Sequence, residues 1–183
     1  MKRSYVRFRT WLIIIIMTVA LAACISTPPP SIPPAATPTP ADTTTPAQRL
    51  AAVTKIASVD DTELLVQPLH DLQIDDLRKA AKVKREAGNL AAAAAELDHA
   101  LALVANDPAM LQERAEIALL QGDWAGAEHY AERAIRLGSK TGPLCRRHWA
   151  TIEQARLARG ETENASSAYA QIERCTVPGI KRY

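Results

Sequence analysis

The chain repeats itself every 34 residues, and this constrains its fold more than any other feature. Gly88-Asn89-Leu90 returns 34 positions later as Gly122-Asp123-Trp124. The register holds on both sides: Leu77 matches Leu111, Ala81 matches Ala115, Ala93 matches Ala127, Ala100 matches Ala134, Leu101 matches Ile135 and Leu103 matches Leu137. A third copy centres on Gly160 and puts Trp149, Ala165 and Ile172 in the places of Leu111, Ala127 and Ala134. Its offset is 38, so four extra residues must be absorbed near the turn-rich stretch Gly138 to Cys145. A fixed period of this length signals stacked units, none able to bury its apolar stripe alone. Helix formers dominate, so each unit is predicted to be a helical hairpin. Gly88, Gly122 and Gly160 end its first helix by accepting positive φ. The alanines let helices approach closely, and Leu97, Leu101, Trp124, Tyr130, Ile135 and Tyr169 fill the space between. Only 4% of residues are aromatic, which argues against a β-sandwich or barrel. A generic helical bundle is the alternative, but it needs no common register.

The 34-residue period, Gly-Asp-Trp between two helices and alanines at the contacts resemble the tetratricopeptide repeat. The resemblance implies an all-α helical-hairpin solenoid of about three repeats. The copies are 74–107, 108–141 and 146–179. Residues 47–73 then read as N-terminal capping helices or a degenerate repeat. Leu50, Val53, Ile56 and Ala57 stand there at helical spacing, and Asp60-Asp61-Thr62-Glu63 is a helix-start signal before Leu64, Leu65 and Val66. The departures are Lys84, Glu153 and Arg156, where the family places small or aromatic packing residues. They suggest solvated faces on the terminal repeats.

Residues 1–24 read as a secretion signal: Lys2, Arg3, Arg7 and Arg9 precede the apolar run Trp11 to Ala23. The run is too short for a ~30 Å hydrocarbon core, and a proline run follows it instead of a basic stop. Leu21-Ala22-Ala23-Cys24 resembles the lipobox of bacterial lipoproteins. That resemblance implies cleavage after residue 23 and acylation of Cys24. Two or more acyl chains anchor stably where one does not. With Ile25 and Ser26 after the cysteine, the family's sorting rule implies the outer membrane, facing the periplasm. Residues 24–46 hold eight of the twelve prolines and read as an extended tether. A Pro-x-x-Pro ligand is the other reading of that segment.

If Cys24 carries lipid, Cys145 and Cys175 remain. They fall before the first helix and at the end of the second helix of the third copy, so they are neighbours in an antiparallel hairpin. An exported protein permits a bond there. Two separate thiols stay open, since Cys175 replaces Leu103 and Leu137 and could be plain core. No catalytic constellation stands out. His70, His99, His129 and His148 lack metal spacing and read as surface or capping residues, and there is no nucleophile elbow or phosphate loop. No cofactor and no metal are expected. Without the four N-terminal cations the chain has 18 basic against 20 acidic side chains, too little for a nucleic-acid binder.

The expected role is therefore binding. In peptide-binding tetratricopeptide domains the first helices line a groove. Carried over position by position, these places are Asp75, Arg78, Lys82 and Arg85; Ala109, Gln112, Glu116 and Leu119; and Arg147, Ala150, Gln154 and Leu157. Arg78, Lys82, Arg85, Gln112, Glu116, Arg147 and Gln154 are the candidate partner-binding residues. Arg78, Lys82 and Arg85 form a basic stripe suited to an acidic segment; a merely solvated charged face is the alternative. Two functions fit: a lipid-anchored adaptor holding another envelope protein or peptide, resembling pilotins and assembly-complex subunits, or an accessory to, or enzyme of, peptidoglycan metabolism.

Overall fold

Proline and glycine punctuate the chain as the repeat demands, and the elements between them are helices. The computed structural model describes residues 42–58 and 71–176. The signal segment, Cys24, most of the tether and the Asp60–Val66 element lie outside the described residues. Those residues hold seven helices and no strand: α1 Pro46–Ala57, α2 Leu72–Glu86, α3 Leu90–Leu103, α4 Pro108–Gln121, α5 Trp124–Leu137, α6 Gly142–Ala158 and α7 Thr162–Arg174. The fold is all-α, built of three successive hairpins, α2–α3, α4–α5 and α6–α7. Each hairpin packs on the next through α3 against α4 and α5 against α6.

Identical chemistry ends the first helix of every hairpin. Gly88, Gly122 and Gly160 take φ of 77°, 75° and 75°. The next amide then reaches back five residues: Asn89 to the Lys84 carbonyl, Asp123 to Ala118 and Glu161 to Arg156, at 2.9 to 3.0 Å. This Schellman closure satisfies carbonyls that the helix end would otherwise leave bare. Asp71, Asn89, Asp107 and Asp123 cap α2 to α5 by accepting backbone N–H bonds. The matched small residues form the seams. Ala81 and Ala115, Ala93, Ala127 and Ala165, and Ala100 and Ala134 are all at most 3% exposed. Leu97 is buried with them, whereas Tyr169 on α7 stays half in solvent.

The four extra residues of the third copy do not form a longer turn. Both inter-hairpin turns, 104–107 and 138–141, hold four residues, and the insertion becomes an additional first turn of α6. Cys145 thus lies inside α6 rather than before it. There it forms a disulfide with Cys175 at the end of α7, with Cα atoms 5.6 Å apart, and the Gly142 amide donates to the Cys175 carbonyl at 2.7 Å.

The terminal faces expected to be solvated are instead neutralised between helices. Lys84 pairs with Glu96 across the first hairpin, and Arg156 donates to Glu128 of α5 at 2.7 Å. Arg159 adds bonds to Glu128 and Glu161, the latter 2.6 Å long. Glu153 is half-buried, and burial pushes its carboxyl up. Within residues 47–73 the described helix α1 packs on α6 of the third hairpin and on α4 of the second.

Candidate functional site

The first helices of the hairpins present one continuous side, and two features divide it. The first is α1. Its stripe of Leu50, Val53 and Ile56 packs into a cluster with Ala118, Leu119 and Ala150 of α4 and α6. Arg49 is only 2% exposed, and its two terminal guanidinium nitrogens are both bonded. It donates to the Gln154 carbonyl at 3.1 Å, pairs with Asp42 and lies over the Trp124 ring at 5.7 Å. Hydrogen bonds from Thr44 first, and from Arg49 next, hold the Asp42 carboxyl at about 2. Gln154, a predicted partner-binding residue, is therefore covered by the chain's own helix.

The second feature is a cleft. α4 and α6 pack on each other, while α2 and α4 meet through Ala81 and Ile117 and the Arg78–Glu113 pair. The gap between them is a cleft of about 340 Å³ with Ala81, Leu97 and Ile117 as an apolar floor. Arg78, Lys79, Lys82, Arg85 and Arg147 rim it, against the carboxylates of Asp75 and Glu113. Arg78 forks onto Glu113 of the next hairpin, Nε to Oε2 at 3.2 Å and Nη2 to Oε1 at 2.6 Å, and that bond holds the guanidinium firmly charged. Lys79 and Lys82 are exposed and meet no carboxylate among the described residues. The cleft thus keeps positive charge facing outward.

Beneath the cleft runs a buried polar chain that joins all three hairpins. Glu116 is 1% exposed, and its carboxylate accepts from Arg147 of α6 at 2.7 Å, with Arg85 of α2 at 3.9 Å. Gln112, fully buried, donates to Glu116 at 2.9 Å and to Thr151 at 2.8 Å. Its amide oxygen then accepts from His148 Nδ1 at 2.6 Å. A buried charge is tolerated only with such partners. Burial, and next the Arg147 and Lys140 charges, hold His148 at about 3, so the ring is neutral.

Of the seven predicted partner-binding residues, Arg78, Lys82, Arg85 and Arg147 come together on the cleft. Gln112 and Glu116 do not: they are too buried to touch a partner, because the side chains of α4 turn inward to bond α6. The sequence reading missed Lys79, Glu113 and the buried His148. Glu113 and His148 share no local motif with their partners, 35 and 36 residues distant. Lys79 was legible, one helical turn from Lys82. Among the described residues there is no cluster of His, Cys, Asp or Glu fit to hold a metal, and no helix long and apolar enough to cross a membrane.

No protein-family model matches the chain, and no curated protein matches it. Among solved structures it is similar to the globular C-terminal domain of LpoP from P. aeruginosa. The two are 28% identical over 57% of this chain and 99% of that domain, with a TM-score of 0.55. The chain thus carries a helical domain like that of LpoP.

Proposed function

We propose that this chain is a cell-envelope adaptor of tetratricopeptide type, moored by acylated Cys24 to the outer membrane, that holds another envelope protein through the cleft between α2 and α4. The observation that carries this reading is the cleft itself. Its floor is apolar, its rim has an excess of cations, and Lys79 and Lys82 meet no carboxylate among the described residues. Such a surface takes an acidic segment with one apolar side chain. The likeness to the LpoP domain supports an envelope protein that works by binding another protein. It also supports the second reading, an accessory regulator of peptidoglycan metabolism, in which the protein held is a cell-wall enzyme. In either case the chain acts by binding and not by catalysis.

Charge reversal tests the cleft. In the double variant Lys79→Glu and Lys82→Glu, partner co-purification should fall about tenfold or more, and the wild-type complex should weaken steeply with salt. Co-purification indifferent to both would remove the cleft from the account. Adding the purified domain to candidate peptidoglycan enzymes separates the readings. A change in their rate supports the regulator, and turnover of peptidoglycan by the domain alone would make it an enzyme.

A further inference from the structure

We infer that the side of α4 and α6 facing α1 is a docking site for an amphipathic helix, that α1 is its resident occupant, and that α1 leaves as a unit. This goes beyond the cleft reading and does not depend on it. The array α2 to α7 is continuous without α1, because every hairpin-to-hairpin junction runs through other helices. α1 touches the array with one stripe: Arg49 and Val53 are buried, with Leu50 and Ile56 partly so, while Ala47, Gln48, Ala51, Thr54 and Lys55 on the other faces are exposed. The centre of the contact is polar in the manner of an interface. The guanidinium of Arg49 is received by Gln154 and by the Trp124 ring.

The energetics follow from length. A 12-residue helix is marginal alone in water, so α1 is helical only while docked. Undocking therefore costs less than unfolding the hairpins and happens first. It opens Leu119, Ala150 and Gln154, and the helix that fits them carries an arginine with apolar residues one, four and seven places after it, as Arg49, Leu50, Val53 and Ile56 do.

Hydrogen exchange on the full chain tests this. Amides of 46–57 should exchange about 100-fold faster than those of 111–119 and 148–155. Exchange of α1 at the rate of α4 and α6 would make it ordinary core and overturn the inference. A labelled peptide of residues 42–58 provides the second arm. It should saturate the Val53→Asp chain, and bind at least about tenfold more weakly to the wild type, whose site is filled, or when the peptide itself carries Val53→Asp. No saturable binding, or equal binding to both chains, contradicts the proposal. Should Val53→Asp fail to fold, Arg49→Ala replaces it: exchange should then rise about tenfold in α1 alone, and a rise spread over all helices overturns the inference.

Discussion

His148 is held neutral inside a protein that carries cations around it, and this has a measurable consequence. Its native value of about 3 lies far below the 6.5 of an exposed imidazole. As pH falls between these values the unfolded chain takes up a proton that the native chain refuses, so stability falls across that window and is fully present above it. Asp42 and Glu161, whose carboxyls are lowered by hydrogen bonds, lose stability in the same direction at more acid pH, and Glu153, raised by burial, opposes them. The informative quantity is therefore a difference between variants. His148→Gln keeps a donor for the Gln112 oxygen, and its urea midpoint should fall less than the wild type's between pH 7 and pH 4. Parallel pH profiles would show that His148 does not govern the loss. Nothing near His148 in the sequence distinguishes it from His99 or His129, which are exposed. Its burial is set by Gln112, a residue from another hairpin.

At the scale of elements, the hairpins were legible because their signals are local. A glycine with positive φ, an Asp or Asn cap and alanines at fixed offsets are written within a few residues of each boundary. The neutralised Lys84 and Arg156 were not legible, since Glu96 and Glu128 face them from other helices. The docking place of α1 was not legible either: an apolar stripe states that a helix must be covered, not by what. The third hairpin owes its closure to the added turn of α6, which brings Cys145 to Cys175. Closing a loop of that separation stabilises by about 3.5 kcal/mol in the chain-entropy description. Cys145→Ser should therefore lower the melting temperature by several degrees without reductant and hardly at all with it. An equal loss in both conditions would mean that the sulfurs act only as packing.

At the scale of the whole molecule, the proposed adaptor needs a mooring and a grip. The mooring rests on the Leu-Ala-Ala-Cys resemblance alone and is open to one substitution. Cys24→Ala should move the protein from the membrane fraction to the soluble periplasm, and unchanged partitioning would refute lipid anchoring. The sequence expectation was a groove along all three first helices, with the basic stripe of Arg78, Lys82 and Arg85 on α2 alone; in the structure α1 covers Gln154 and the α4 side chains turn inward. What remains is a short cleft between two hairpins, suited to a short acidic element rather than a long extended peptide.

The most direct test of that grip is a photocrosslinking side chain at position 82, used in cells with the lipid anchor intact and read by mass spectrometry. The account predicts one recurrent envelope protein, linked through an acidic segment, and loss of that link when Lys79→Glu and Arg85→Glu are added. Crosslinks scattered over abundant envelope proteins, or a single partner that persists after both reversals, would contradict it.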